Sequence, residues 1–179
     1  MKARQAIIAA VVTLGAFAPG NATAVSDQPV TPAWFEGRFI DLAVDWEGAT
    51  ACSIGPQISV CFQTEAEMDE ALNSSDLLRA ESAEPIQPFS VCSTSLRLYD
   101  GISYTGTVVN FSTRVTFINL SGYGFDNLTS SYKVGGCSVN MYSKASGGGS
   151  SYPGNTAANA QSASMSTGWN NLVSSVFIN

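Results

Sequence analysis

Two short segments of the sequence carry the oxygen-bearing side chains that could hold a hard metal ion. Residues 125–131 and residues 169–175 begin 44 positions apart, and each follows a glycine. Both contain an aromatic residue, two Asx residues, a leucine, one variable residue and two serines. Calcium takes about six to eight oxygens from carboxylates, carboxamides, hydroxyls and carbonyls. The same side chains also cap tight turns without any metal, so the pattern by itself allows both interpretations.

The elements that must position these segments are short strands. From Cys92 onward, Ser, Thr, Gly and Asn turns separate short apolar runs, which favours a β-sandwich. The interval between the two copies is about the length of one four-stranded motif, so two motifs are predicted. The predicted strands are 95–99, 108–111, 115–118, 131–134, 138–142 and 174–178.

Alternation within these strands, and position in the repeat, predicts the core. Tyr99 and Tyr142 are expected to pack at the corners of the sandwich. The residues expected to be buried are Leu96, Leu98, Val108, Phe111, Val115, Phe117, Leu128, Val139, Met141, Leu172, Val176 and Ile178.

Residues 25–91 form an acidic N-terminal region of different composition. A strand is predicted over 38–43, and residues 45–61 form a loop or hairpin around Trp46. Thr64 and Glu67 match a capping box, which predicts a short helix over about residues 65–72. Residues 80–90, which contain two prolines, are typical of a linker.

The repeated Asx-Asx-x-x-Ser-Ser resembles the calcium-binding signature of microbial βγ-crystallins. Residues 99–106, which read YDGISYTG, resemble the family's corner of an aromatic, four residues, an aromatic, any residue and glycine. The counterpart before the second copy is taken as residues 142–154, with five extra residues. Residues 119–121 also resemble the family. The resemblance covers roughly residues 92–179 and leaves residues 25–91 outside it.

This resemblance implies an all-β fold in which two Greek-key motifs form a two-sheet sandwich with a pseudo-twofold axis. It also implies two calcium sites shared between the motifs. The implied ligands are Asp126, Asn127 and the Ser174 hydroxyl in site one, Asn170, Asn171 and the Ser130 hydroxyl in site two, and the backbone carbonyls of Asp100 and Ser143. Only Asp126 contributes a charged side chain within the two copies, so weak to moderate affinity is expected.

The N-terminus has the order of features of a secretory signal peptide. Lys2 and Arg4 precede an apolar stretch over residues 7–18, and an Ala-x-Ala site ends at Ala24. A transmembrane anchor is the alternative, but it needs about 20 apolar residues and this stretch is shorter. We therefore expect cleavage after Ala24 and a secreted, extracellular protein.

The four cysteines agree with export, because an even count in an exported chain predicts two disulfides. Three connectivities are possible. Cys52–Cys61 and Cys92–Cys137 are favoured, because each bridge then stays within one predicted unit. Zinc is the alternative, but the chain has no C-x-x-C pair and no histidine.

The absence of histidine argues against an enzyme. It excludes Ser-His-Asp and Cys-His nucleophiles and the HExxH metal hydrolases. A pair of carboxylates could still hydrolyse glycosides, and the candidates are Glu65, Glu67, Asp69 and Glu70. They lie too close together on one predicted helix, as expected for a solvated face. The formal net charge of −6 gives no electrostatic reason to bind nucleic acid or anionic lipid.

The expected function is therefore that of an exported calcium-binding protein with a structural or binding role. The alternative is a secreted metalloprotease inhibitor with the crystallin fold, whose partner would be an extracellular protease. The loops near Cys92 and Cys137, or residues 143–154, would then carry the inhibitory segment. A surface or toxin-like module is a third possibility, which no residue specifically supports.

Overall fold

A computed structural model of the chain describes residues 31–56, 58–81 and 95–179, with the side chains of residues 75–81 left out. The predicted signal peptide and its cleavage site, most of the predicted linker, and Cys92 lie outside the described residues. Those interpretations stay predictions.

The described residues form eleven strands and one α-helix, joined by tight turns that include three short 3-10 segments. No helix among them is long and apolar enough to cross a membrane. In chain order the elements are β1 (Pro32–Phe35), β2 (Arg38–Asp41), β3 (Ala51–Ile54), β4 (Ser59–Phe62), α1 (Glu65–Glu81), β5 (Leu96–Tyr99), β6 (Val108–Phe111), β7 (Phe117–Asn119), β8 (Ser131–Val134), β9 (Val139–Tyr142), β10 (Gln161–Ser162) and β11 (Ser175–Ile178).

The strands form an eight-stranded sheet and a three-stranded sheet. The order in the large sheet is β10-β8-β5-β6-β3-β4-β1-β2, and the order in the small sheet is β7-β11-β9. Strand β7 of the first motif pairs with β11, whereas β10 of the second motif pairs with β8. Each motif thus gives one strand to the other motif's sheet. This exchange makes a two-motif Greek-key sandwich, so the predicted fold class is confirmed.

The N-terminal strands extend the large sheet of the sandwich. Strand β3 pairs in parallel with β6, placing Ala51 opposite Val108, and β4, β1 and β2 follow outward. Side chains of this region, such as Leu42 and Ile54, belong to the same buried cluster as Phe111. The strands therefore cover an edge of β6 that would otherwise present unpaired backbone groups.

Helix α1 begins at the predicted capping box. The Glu67 amide donates to Thr64 Oγ1 at 3.2 Å, and Glu67 Oε2 accepts the Gln63 amide at 3.1 Å. The helix continues to Glu81, so the prediction that it ends near residue 72 was wrong. Ser74 Oγ donates to the Glu70 carbonyl at 2.6 Å, because a serine inside a helix can bond back one turn instead of redirecting the chain.

The helix is held on the outer face of the large sheet by Met68 and Arg97. Met68 is fully buried against Tyr99 and its neighbours. Arg97 pairs with Asp69 and, at 2.8 Å, with Glu65, whose Oε1 also accepts the Tyr99 hydroxyl at 2.6 Å. Burial alone would lower the pKa of the Arg97 guanidinium. The hydrogen bonds and charges of Asp69 and Glu65 outweigh the effect of burial, so the pKa is raised. Burial, reinforced by Glu65, raises the pKa of Tyr99.

Most of the predicted core is confirmed. Tyr99 is fully buried and packs against Tyr104, while Tyr142 is half-buried and packs against Phe117. The predicted residues that are buried are Leu96, Leu98, Val108, Phe111, Val139, Met141, Val176 and Ile178.

Val115 and Phe117 were wrongly placed in the core. Val115 is 71% exposed and precedes strand β7, with a φ of 57° that breaks the assumed alternation. Once the strand begins at Phe117, the inward position falls on Ile118, and Phe117 stays 46% exposed.

Leu128 and Leu172 were also wrongly predicted to be buried, and are 40% and 37% exposed. In each copy of the repeat it is the following residue, Thr129 or Val173, that points inward and is fully buried. The variable position of the repeat is therefore the core position.

The Cys52–Cys61 disulfide is confirmed. The two residues face each other on β3 and β4, and both are buried. Cys137 is buried and disulfide-bonded as well, but Cys92 lies outside the described residues.

We predict that non-reducing peptide mapping of the secreted protein will join Cys92 to Cys137. The bridge should stabilise the fold by about 2–4 kcal/mol, because it constrains the unfolded chain. A peptide that joins Cys61 to Cys92 would refute this pairing and the Cys52–Cys61 bridge together.

The Arg97 contacts predict an effect on stability that a surface ion pair does not have. Arg97→Met should lower the free energy of unfolding by about 1–2 kcal/mol, because it leaves two neighbouring carboxylates without their partly buried cation. Arg38→Met is the matched control, since Arg38 pairs with Glu47 at the surface, and should change stability by less than about 0.5 kcal/mol. Urea denaturation of both variants would measure this, and equal effects would contradict the proposed role of Arg97.

Candidate metal centre

Two asparagine–serine pairs join the motifs across the pseudo-twofold axis. Ser174 Oγ donates to Asn127 Oδ1 at 3.2 Å, and Ser130 Oγ donates to Asn171 Oδ1 at 3.1 Å. In each pair the asparagine comes from one copy of the repeat and the serine from the other. Two side-chain oxygens from different motifs therefore lie side by side in each of two equivalent places.

The backbone around the two asparagines has matching geometry. The Asn127 amide donates to the Val173 carbonyl, and the Asn171 amide to the Thr129 carbonyl, both at 3.0 Å. The φ values of the two asparagines are 57° and 56°. Asn tolerates this left-handed conformation better than most residues, so the repeat requires Asx at its second position for backbone reasons as well.

Hydrogen bonds tie each serine to the hairpin corner of its own motif. The amides of Ser130 and Ser174 donate to the carbonyls of Tyr99 and Tyr142, both at 2.8 Å. The hydroxyl of the second serine in each copy donates to the carbonyl of the residue two positions after the tyrosine. These bonds are Ser131 Oγ to the Gly101 carbonyl and Ser175 Oγ to the Lys144 carbonyl, both at 2.6 Å.

Between the two anchored carbonyls of each corner lies the carbonyl of Asp100 or Ser143. No N–H or O–H of the described part of the chain is hydrogen-bonded to either carbonyl. The Asp100 carbonyl follows directly after the Tyr99 carbonyl that accepts the Ser130 amide, and the Ser143 carbonyl follows the Tyr142 carbonyl that accepts the Ser174 amide.

The counterpart of residues 99–106 is residues 142–149, so the sequence alignment that placed it at 142–154 was wrong. Asp100 Oδ1 accepts the Thr107 amide at 2.7 Å, and Ser143 Oγ accepts the Ser150 amide at 2.9 Å. The backbone hydrogen bonds match as well, since the Asp100 amide donates to the Thr107 carbonyl and the Ser143 amide donates to the Ser150 carbonyl. The two corners are therefore equal in length, and the second has no five-residue insertion.

In the second corner Gly147 occupies the position of Tyr104. The amides of both residues donate to a serine hydroxyl of the repeat, Ser175 or Ser131. The missing ring is replaced by Phe117, which approaches so closely that a Cβ on Gly147 would collide with it. Phe117 packs edge-on against Tyr142 at 5.9 Å, as Tyr104 packs against Tyr99 at 5.7 Å.

The Tyr152 and Gly154 pattern, which suggested the longer corner, belongs to the core. Tyr152 is buried and packs edge-on against Tyr132 and Trp169, at 5.7 and 5.3 Å. Burial raises the pKa of Tyr132, whose hydroxyl donates to the Asn155 carbonyl at 2.8 Å.

The remaining predicted ligands lie at the rim of the pairs. Asp126 is exposed, and its Oδ2 accepts the Asn127 side-chain amide at 3.1 Å. Asn170 is exposed, and none of the side-chain hydrogen bonds within the described ranges involves it. The structure thus brings Asn127 to Ser174 and Asn171 to Ser130, and Asp126 is the acidic residue within the two copies of the repeat.

The donor set suits a hard cation. Each candidate site combines carboxamide, hydroxyl and carbonyl oxygens, the groups from which calcium builds its shell. In the part of the chain that the structure describes, no three His, Cys, Asp or Glu side chains cluster as a metal site. The two segments themselves carry oxygen ligands and contain no imidazole or thiolate group.

Sequence reasoning missed Phe117 as a corner residue and Trp46 as a neighbour of the first segment. The Trp46 indole N–H donates to the Tyr123 carbonyl at 2.9 Å, just before Gly124. No local pattern predicts this contact, because the two residues are 77 positions apart.

The solved structures that resemble this chain are βγ-crystallin domains. A βγ-crystallin from Ciona intestinalis is 18% identical with a TM-score of 0.40, and the match covers 48% of this chain and 99% of that one. A domain from Flavobacterium johnsoniae is 25% identical with a TM-score of 0.38, covering 47% and 92%. A clostrillin double mutant in complex with nickel is 21% identical with a TM-score of 0.39, covering 47% and 95%. No protein-family model and no curated protein matches the chain.

A buried hydroxyl beside the sites predicts a stabilising substitution. Thr129 Oγ1 is buried and has no hydrogen-bond partner among the described residues, whereas the equivalent position in the second copy is Val173. Thr129→Val should raise the free energy of unfolding by about 1 kcal/mol, because an unsatisfied buried hydroxyl is removed. Val173→Thr, as the control, should lower it by about 1–3 kcal/mol. Chemical denaturation would measure both, and a clearly less stable Thr129→Val protein would refute the prediction.

Proposed function

We propose that the chain is an exported calcium-binding protein of the βγ-crystallin type, with a structural or binding role rather than an enzymatic one. The observation that carries the proposal is the pair of symmetric contacts Asn127–Ser174 and Asn171–Ser130. Turn capping alone requires no contact between the two copies of the repeat. Two oxygens converging from separate motifs, in two equivalent places, are expected for a shared cation site.

Each site would draw its ligands from both motifs. The ligands of site one would be Asp126, Asn127, the Ser174 hydroxyl and the Ser143 carbonyl. The ligands of site two would be Asn170, Asn171, the Ser130 hydroxyl and the Asp100 carbonyl. A bound ion would supply positive charge that links the two motifs, adding to the hydrogen bonds that already join them.

The two sites should differ in affinity. Asp126 brings a carboxylate to the first site, whereas the equivalent residue of the second copy is the neutral Asn170. Since affinity for calcium increases with the charge of the ligands, site one should bind more tightly. Both sites should remain in the weak to moderate range.

Export is supported by two features. Residues 1–24 have the pattern of a signal peptide. The Cys52–Cys61 bridge is of the kind that persists in oxidising compartments. We therefore propose an extracellular location.

The inhibitor alternative has no comparable support. Its candidate loop within residues 143–154 starts as the tight hairpin of the second motif, held by the paired bonds of Ser143 and Ser150 and by a bridge between Tyr142 and Ser151. The same hairpin occurs in the first motif, so the fold itself accounts for the segment. The non-enzymatic role rests on the absence of histidine from the sequence.

Calcium should raise the melting temperature of the mature protein relative to chelator. A ligand that binds only the folded state adds about 2.7 kcal/mol when its concentration is a hundred times Kd. Asp126→Ala should lose more of the shift than Asn170→Ala, because only Asp126 contributes charge. Ser174→Ala should weaken site one, and Ser130→Ala should weaken site two. Calorimetric titration and thermal melts of each variant would measure these effects.

Two controls separate site binding from general ionic effects. Glu70→Ala removes an exposed carboxylate on α1 and should leave the calcium shift intact. Magnesium should stabilise much less, because its small octahedral shell suits these loops poorly. If several millimolar calcium does not change the melting temperature of the wild type, the repeated Asx pairs act only as turn caps.

A further inference from the structure

Among the described residues, hydrogen-bond and ring contacts join the N-terminal region to the first candidate metal-binding segment, and none joins it to the second. The half-buried indole of Trp46 donates its N–H to the Tyr123 carbonyl at 2.9 Å. The same ring packs against Phe125, with 6.1 Å between the centroids. Tyr123 and Phe125 lie on either side of Gly124, immediately before Asp126 and Asn127.

The glycine before each repeat shows the asymmetry directly. Gly124 and Gly168 both have left-handed backbone, with φ values of 63° and 79°. A Cβ on Gly124 would lie 2.6 Å from the Leu42 carbonyl and 3.3 Å from Trp46 Nε1, whereas a Cβ on Gly168 would meet nothing within 4 Å. In the described part of the chain, residues 42 and 46 are therefore packed against the glycine of the first segment, and the glycine of the second has no such neighbour.

The turn that makes this contact, residues 41–49, is held by its own hydrogen bonds. Asp41 Oδ1 accepts the amides of Thr31 and Ala43, both at 3.1 Å, and the Asp41 carbonyl accepts two further amides of the turn. Leu42 is fully buried, and the Ala49 amide donates to the Trp46 carbonyl at 2.9 Å. Trp46 therefore lies on a hydrogen-bonded turn, and its indole can hold the Tyr123 carbonyl in place.

We propose that Trp46 is a positioning residue for the first calcium site, through which residues 41–49 set the affinity of that site. This inference rests on the proposed function. The indole holds residues 123–125, and these lead directly into the two Asx residues of site one. Preorganising a loop lowers the conformational cost of binding, so the contact strengthens site one and leaves site two unaffected.

Trp46→Phe tests the hydrogen bond while keeping an aromatic ring in place. The mature, ¹⁵N-labelled protein is titrated with calcium chloride, and the side-chain amides of Asn127 and Asn171 report on the two sites separately by NMR. Loss of one hydrogen bond should weaken the Asn127 site about fivefold and change the Asn171 site less than twofold. Trp34→Phe is the matched control, because Trp34 is 40% exposed on β1, and should change neither site.

A pair of glycine substitutions tests the close packing independently. Gly124→Ala and Gly168→Ala both place a Cβ on left-handed backbone, but only the first meets the N-terminal region. Gly124→Ala should therefore weaken the Asn127 site more than Gly168→Ala weakens the Asn171 site. Equal losses would mean that the packing against Leu42 has no role, and would overturn the inference.

Hydrogen exchange in chelator separates this inference from the proposed function. In Trp46→Phe, the backbone amide hydrogen of Asn127 should exchange several-fold faster than in the wild type, while the exchange rate of the Asn171 backbone amide should be unchanged. Unchanged exchange at Asn127, or an equal calcium response of both sites to Trp46→Phe, would overturn the positioning role even if the wild type binds calcium. A wild type that binds no calcium at either asparagine would overturn the proposed function instead, and with it the effect on affinity.

Discussion

The exchange of strands β7 and β10 between the two motifs is the constraint on which the rest of the structure depends. Because each motif gives one strand to the other's sheet, neither motif can bury its apolar face alone. Within each motif, the serine amide at the end of the repeat meets the tyrosine carbonyl of that motif's own hairpin corner. The contacts that cross between the motifs are the paired oxygens of Asn127 with Ser174 and of Asn171 with Ser130. The candidate metal sites are thus located where the two motifs hold each other.

The backbone of the two motifs is more symmetric than their side chains. Both corners have the same hydrogen bonds, yet the first fills its corner with Tyr104 and the second fills the equivalent space with Phe117 from a different strand. The outcome is similar because a tyrosine at the corner needs an edge-on aromatic neighbour, and the origin of that ring is immaterial to the packing. Phe117 therefore stays partly exposed and still has a defined packing role.

The N-terminal region breaks the symmetry of the sandwich. It continues the large sheet from β6 outward, so its strands contact only one side of a molecule whose two motifs are otherwise alike. Packing on one side places Leu42 and Trp46 against Gly124, while Gly168 stays open. Together with the carboxylate of Asp126, this contact gives two nominally equivalent sites different surroundings. The N-terminal region, which has no resemblance to the crystallin pattern, thus contacts the residues that precede the first candidate site.

Sequence patterns alone predicted the fold class, both copies of the repeat, the Cys52–Cys61 bridge, the capping box at Thr64 and eight of the twelve expected core residues. These features depend on local spacing or alternation, which neighbouring residues carry directly. The family resemblance also predicted that Asn127 would meet Ser174 and Asn171 would meet Ser130; these contacts occur, whereas their role as metal ligands stays a prediction. The packing of the strands was needed to show which residue of each repeat points inward, that residues 142–149 form the second corner, and that Phe117 fills it. It alone placed Trp46 beside Tyr123, since a contact between residues 77 positions apart depends on how separate strands pair and leaves no periodic signal in the chain.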